Sequence, residues 1–167
     1  MWINKNKYVK GMKLDIGAGD PATGQEVQHT GYVLNDVEAY EGIDLVCNIL
    51  NLDDYIDPEM CSVVRGSHIL EHFTNTEVKT VLDAIYRLLE PDGKLEIIVP
   101  NLEWHSRLIT EGHHSDAVRY MFGGQLDAWD IHKTGFTGNL LYEKVTQAGF
   151  IVDELLNETS LTLHAHK

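Results

Sequence analysis

Apolar and polar positions along the chain alternate with two different periods, and the change of period marks the elements. Lys13-Leu14-Asp15-Ile16 reads as a short strand that runs straight into the turn Gly17-Ala18-Gly19-Asp20. Gly31 to Asp36, Ile43 to Ile49 and Cys61 to Ser67 give three further strands. Thr74-Asn75-Thr76-Glu77 then has capping-box spacing, and Val78, Val81, Leu82, Ile85, Leu88 and Leu89 fall on one helical face, with Pro91 and Gly93 as stop signals. Lys94 to Val99 is a fifth strand leaving through Pro100-Asn101. A second helix follows Thr137 through Leu140, Leu141, Val145 and Ala148 and stops at Gly149, and two strands, Phe150 to Leu156 and Ser160 to Lys167, close the chain. Strands alternating with connections predict an α/β domain on a parallel sheet.

Three stretches depart from this pattern. Residues 1 to 11 form a polar lead-in, and residues 21 to 30 hold Pro21 and Gly24 with little apolar periodicity, so any first helix is short or irregular. Residues 101 to 136 gather Trp104, His105, His113, His114, Trp129, His132 and Phe136 around a Gly123-Gly124 pair, a composition suited to a lid or substrate-side insertion. The pattern does not explain Arg65, a charge in the middle of the fourth strand.

Composition narrows the classes. With 167 residues, 43% hydrophobic and 23% charged, the whole chain 1–167 reads as one globular domain. The formal net charge of −13 repels polyanions, which argues against a nucleic-acid backbone and for a small-molecule partner. Cys47 and Cys61 fall in predicted strands and suggest neither a disulfide framework nor a zinc knuckle. Neither a leader peptide nor an apolar run of membrane-spanning length is present, so the expected location is the cytoplasm, with no membrane partner.

The glycine turn carries the first chemical inference. Glycines at 17 and 19 let the backbone take positive φ and approach a ligand closely. Gly17-Ala18-Gly19-Asp20-Pro21-Ala22 also fits the dinucleotide pattern G-x-G-x-x-G/A. Asp15 and Asp20 flank that turn and no Lys or Arg follows within it, so a pyrophosphate meets repulsion there. A cationic sulfonium and ammonium ligand meets the opposite field.

The ordered stretches Leu14-Asp15-Ile16-Gly17-Ala18-Gly19-Asp20, Asp36 after Tyr32-Val33-Leu34-Asn35, Ser67-His68-Ile69-Leu70-Glu71-His72, Arg87 to Lys94 and Val99-Pro100-Asn101 together resemble the class I S-adenosylmethionine-dependent methyltransferases, in a small single-domain, type 11-like form. The resemblance spans nearly the whole chain. It implies a Rossmann-like fold with a mostly parallel seven-stranded sheet in the order 3-2-1-4-5-7-6, the last strand antiparallel, and helices on both faces; the first helices, shortened by the residues present, depart from that form. It also implies S-adenosylmethionine as cofactor but leaves the methyl acceptor open; the small-molecule acceptor is expected from the net charge, and 101–136 as the acceptor-side insertion from the break in the pattern. Cofactor contacts are expected from Asp15, Gly17, Ala18 and Gly19, from Asp36 on the ribose, from Asn48, Ile49 and Leu50 around the adenine, and from Ser67 and His68 beside the methionine part. Asn48 stands where the family usually has Asp, and Pro21 where it has a third glycine.

Methyl transfer is an in-line displacement that needs no protein nucleophile, and a general base only for a hydroxyl or protonated amine acceptor. His132 and His72 are the candidate bases, with His132 expected to face the transferable methyl and His68 held as a further candidate. Other readings compete. The glycine turn also suits an NAD(P)-binding oxidoreductase. His68-x-x-Glu71-His72 spells the H-x-x-E-H pattern of a zinc hydrolase, with Glu143 as an imaginable third ligand. A non-catalytic cofactor-binding protein would carry the same turn. On the methyltransferase reading no metal is expected, because residues 68–72 then form a loop beside the cofactor.

Overall fold

The computed structural model describes residues 8–20 and 30–167. Strands β1 (Met12–Ile16), β2 (Tyr32–Asp36), β3 (Leu45–Val46), β4 (Cys61–Ser67), β5 (Leu89–Pro100), β6 (Ile151–Asn157) and β7 (Ser160–His166) form one sheet in the order β3-β2-β1-β4-β5-β7-β6. Pairing is parallel from β3 across to β5, and β7 runs antiparallel to both β5 and β6. The expected topology is therefore met in order and direction. Among the described residues four α-helices accompany it: α1 (Asn75–Leu88), α2 (Leu102–Thr110), α3 (His114–Phe122) and α4 (Gly138–Gln147). The lead-in up to residue 7 and the segment 21–29, where a short first helix was expected, lie outside the described residues.

Local chemistry explains the boundaries. Thr74 opens α1 by a full capping box: its Oγ1 accepts from the Glu77 amide at 3.4 Å, and Glu77 Oε2 accepts from the Thr74 amide at 2.8 Å. The helix ends earlier than Pro91 and Gly93 suggest, because Leu89 already pairs with Cys61 and begins β5. The third strand is far shorter than 43–49. Asn48 Oδ1 accepts from the Leu50 amide at 2.9 Å and caps a 3-10 turn over Ile49–Asp54, which ends the extended run. Cys47 consequently lies just past the strand rather than in it; it is buried, as is Cys61, and burial pushes the thiols up to about 11 and about 12.

The two faces of the sheet differ sharply. Leu14, Ile16, Val64, Leu95, Ile97, Leu161 and Leu163 form one continuous apolar core with Val81, Leu82 and Ile85 of α1 and with Leu141 and Val145 of α4. The opposite face is crossed by a row of charges from paired positions: Asp15, Arg65, Glu96 and His164. Arg65 Nη1 reaches Asp15 Oδ2 at 3.2 Å and its Nε reaches Glu96 Oε1 at 3.1 Å. Arg65 thus has a structural account: it neutralises two carboxylates on neighbouring strands. Helices were expected on both faces; the described residues put α1 and α4 on the apolar one, and the β2–β3 connection, 37–44, contains no helix.

Residues 101–136 leave the sheet and return to the same point. Asn101 pairs with Phe136 in an isolated parallel bridge, and the Leu102 amide donates to the Phe136 carbonyl at 2.8 Å. Asn101 holds both sides of the exit: its Oδ1 caps α2 by accepting from the Glu103 and Trp104 amides, while its Nδ2 donates to Asn157 Oδ1 at 2.6 Å. Phe136, fully buried, anchors the return in the core.

Candidate functional site

The carboxyl ends of β1, β2 and β4 open onto a cleft of about 470 Å³, within the range of small-molecule sites. Its floor is the turn after β1. Gly17 and Gly19 have φ of +64° and +70°, where a side chain is strained. A Cβ on Gly17 would stand 2.5 Å from Ile69 Cδ1, so the glycine makes room for a side chain of the β4 loop; a Cβ on Gly19 would meet no atom within 4 Å. The Gly19 amide donates to Asp36 Oδ2 and the Glu38 amide to Asp36 Oδ1, each at 2.9 Å. Asp36 therefore shapes the turn, and each of its oxygens keeps a further lone pair.

Of the residues expected to bind a cofactor, Gly17, Gly19, Asp36, Asn48, Ile49, Leu50 and His68 line this cleft. The oxygen of Asn48 already accepts from the Leu50 amide and has one lone pair left. Asp15 does not line it. Its side chain points to the charged face of the sheet and is only 5% exposed beside Arg65, which corrects the expectation of a ligand contact. Ala18 and Ser67 are absent from the wall as well: the Ala18 amide is spent on the Asn35 carbonyl at 2.9 Å, and Ser67 is buried at the end of β4.

Sequence reasoning missed Asn35. Fully buried, it donates from Nδ2 to the carbonyls of Leu45 and Cys47 at 2.9 and 3.0 Å, tying β2 to the adjoining chain, while its Oδ1 accepts from no described group. It lines the cleft beside Tyr40, also missed, whose hydroxyl pKa is raised by burial and by Glu38 and Asp36. The only sequence signal for Asn35 was an amide at the buried end of a strand.

The far wall comes from two distant segments. His68, at the end of β4, takes φ of +51°, a left-handed conformation uncommon outside glycine, and turns the chain into a 3-10 turn over Leu70–His72. The amides of Lys133 and Thr134 both donate to the Glu71 carbonyl, at 2.7 and 3.1 Å, and so clamp the end of the insertion against that turn. The insertion contributes Asp127, Trp129, Asp130 and Lys133 to the cleft. Trp104 makes an edge contact with His105 at 5.2 Å, and that ring stacks on Tyr120 at 4.4 Å.

The histidines fall into layers. His72 lines the cleft; His132, expected to face the transferred group, does not, and sits behind His72 with ring centroids 4.9 Å apart. It lines a smaller cavity of about 10 Å³ with Glu71, His105 and Thr134. His132 Nδ1 lies 3.0 Å from the Tyr120 carbonyl and His72 Nδ1 lies 3.2 Å from that of Ile131, so on both rings the proton resides on Nδ1 and Nε2 carries the lone pair. Burial pulls the His132 pKa below the ordinary histidine value, against the charge of Glu71, which keeps the ring neutral near pH 7.

Among the described residues, Asp36, Glu38, Glu77, Asp127 and Asp130 line the cleft with one lysine, Lys133. Such a wall repels phosphate and attracts a cation.

No protein-family model matches the chain, and no curated protein does. Solved structures share its fold. The Burkholderia thailandensis 1,6-didemethyltoxoflavin-N1-methyltransferase, solved with 1,6-didemethyltoxoflavin and S-adenosylhomocysteine bound, is 18% identical over 95% of this chain and 72% of its own, with a TM-score of 0.63. An S-adenosylmethionine-dependent methyltransferase from Archaeoglobus fulgidus is 14% identical over 95% and 86%, at 0.67. Another from Methanosarcina mazei is 14% identical over 99% and 94%, at 0.65.

Proposed function

We propose that this chain, which has the Rossmann-like fold of the class I S-adenosylmethionine-dependent methyltransferases, transfers a methyl group from S-adenosylmethionine to a small-molecule acceptor. The observation that carries the reading is the charge of the cleft: among the described residues, five carboxylates and one lysine line it beside a glycine turn that permits close approach. That field suits a ligand with a sulfonium and an ammonium group and opposes the pyrophosphate of a dinucleotide. Gly17 and Gly19 would admit the cofactor to the backbone, and the free lone pairs of Asp36 would take the ribose hydroxyls. Asn48, Ile49 and Leu50 would border the adenine, and His68 the methionine part. When bound, the cofactor supplies an electrophilic methyl group.

The acceptor side is the insertion, 101–136. Trp129 and Ala128 give one side of the cleft an apolar surface, and His72, whose Nδ1 donates to the Ile131 carbonyl, presents Nε2 as a group that could take a proton from an acceptor. His132 acts through His72 or through what both rings hold rather than on the methyl itself. Among the described residues no helix is long and apolar enough to cross a membrane.

Calorimetry with S-adenosylmethionine, S-adenosylhomocysteine and NAD tests the reading. The expected result is binding of the first two and none of NAD, with Asp36→Ala weakening the adenosyl ligands by roughly 1.5–3 kcal/mol through loss of charge-assisted hydrogen bonds. Binding of NAD alone would replace the methyltransferase by an oxidoreductase.

A further inference from the structure

We infer that Glu71, His72 and His132 hold a divalent ion of the zinc class at the acceptor end of the cleft. The use of that ion in catalysis rests on the methyltransferase reading; its binding does not.

The ligand atoms of these three residues all lie within 4.8 Å of one another. A tetrahedral ion with bonds of about 2.05 Å separates its ligands by roughly 3.3 Å, so closing the site takes side-chain shifts of about an ångström. Each histidine Nδ1 is held by a backbone carbonyl, of Ile131 for His72 and of Tyr120 for His132, which leaves Nε2 as the nitrogen for the ion, and with the ion bound His72 is a ligand in place of the acceptor's base. Protein zinc ligands are braced by this kind of outer contact.

Glu71 supplies the independent reason. Its side chain is 1% exposed, yet neither carboxylate oxygen accepts a hydrogen bond from any described group. His68 Nδ1 lies 3.2 Å from Oε1 but outside hydrogen-bond geometry, and the contact is an ion pair only when that ring is protonated. A carboxylate buried without hydrogen bonds is costly, and a bound cation removes that cost. Two nitrogens and one carboxylate form a donor set for zinc and its neighbours rather than for magnesium or calcium. The clamp from the Lys133 and Thr134 amides to the Glu71 carbonyl holds residue 132 beside residues 71 and 72, although 60 positions separate His72 from His132 in sequence.

This departs from the sequence expectation of no metal. That expectation assumed that the ligands of the His68-x-x-Glu71-His72 pattern do not converge. They converge with a different third member: His132 replaces both His68 and the imagined Glu143, which is exposed on α4. Three protein ligands leave one position open, and His72 puts that position on the cleft side. The acceptor class that fits is a hydroxyl or thiol able to ligate the ion. Its O–H or S–H loses the proton to solvent, the resulting anion's lone pair forms the new bond to the methyl carbon, and the bond from that carbon to the sulfonium sulfur breaks with its electrons left on sulfur.

Chelator-treated full-length protein is titrated with zinc chloride by calorimetry and with cobalt(II) by visible absorption. The expected result is one ion per chain with the intense visible bands of four-coordinate cobalt. His132→Ala and Glu71→Gln should weaken binding by at least about a hundredfold, since even outer contacts of metal ligands cost about 10- to 100-fold. His113→Ala should change nothing. Glu71→Gln keeps shape and volume, and its thermal melt separates loss of the site from loss of the fold. Failure of the wild-type protein to take up zinc at micromolar concentration overturns the site, and so does uptake with equal affinity in both variants. S-adenosylmethionine affinity is measured on the same samples. Zinc binding that is lost in the variants, with no adenosyl binding, supports the metal site and removes the methyltransferase reading alone.

Discussion

Gly19 and Gly11 form a matched pair for testing the cleft. Both have positive φ, +70° and +83°, and a Cβ on either would meet no atom within 4 Å. Alanine at either position therefore costs conformational strain without a clash, about 1–2 kcal/mol for a left-handed residue. Stiffening of the unfolded chain returns about 0.4–1 kcal/mol. At roughly 2–4 °C per kcal/mol for a domain of this size, each variant should melt a few degrees below wild type. Only Gly19 lines the cleft. Its new methyl occupies ligand space, and overpacking of that kind costs about 1–3 kcal/mol, or roughly 5- to 150-fold in Kd. Differential scanning calorimetry and S-adenosylmethionine titration on both variants make the test. Equal loss of affinity in Gly11→Ala, or an affinity for Gly19→Ala within about twofold of wild type, refutes the placement of the cofactor on this turn.

Two further outcomes follow from buried charge. Arg65→Met removes the guanidinium from Asp15, whose side chain is 5% exposed, and should cost about 3–5 kcal/mol in urea unfolding, most of it recovered in the double variant Asp15→Leu/Arg65→Met; no recovery would mean that the row of charges is not what the arginine serves. Burial, followed by the charges of His68 and His132, lowers the His105 pKa, so the folded state favours the neutral ring. Stability from this group is complete above about pH 6.5 and is lost as pH falls through that value, where the unfolded chain binds the proton first. Urea midpoints of chelator-treated protein between pH 5 and 8 should accordingly fall more steeply than those of His105→Phe, and parallel curves would contradict the assignment.

Much of the fold was legible because hydrophobic periodicity is a local signal. The capping box at Thr74, the apolar face of α1 and the turn after β1 depend on residues close in sequence. The early end of β3 was missed although Asn48 is a good cap, since apolar residues continue through Ile49 and Leu50 and read as strand. The site was legible only in part. Gly17, Gly19, Asp36 and Asn48 follow strand ends, where the fold puts ligands. Asp15 is one residue out of phase with them, and only the pairing of β1 with β4 reveals that it faces Arg65. Asn35 and Glu71 gained their meaning from contacts across 12 and about 60 residues, which no local pattern contains. His132 was singled out for its composition, but which layer it occupies depends on the carbonyls of Tyr120 and Phe122 that receive it.

The row of charges also governs how the sheet assembles. β1 and β4 pair across some 50 residues, and such distant parallel pairing is slow and open to slippage. A slip of β4 by one residue would turn Arg65 into the apolar side now held by Val64, burying a guanidinium among Leu14, Ile16 and Leu95. A slip by two restores the faces but sets Arg65 either between Lys13 and Lys94, where like charges oppose it, or between Gly17 and Ile98, where no carboxylate waits. Hydrophobic residues alone tolerate the two-residue error, since Leu14 and Ile16 or Leu95 and Ile97 are interchangeable to a valine. One arginine in a central strand removes that degeneracy and leaves the chain a single alignment in which the glycine turn and the end of β4 meet.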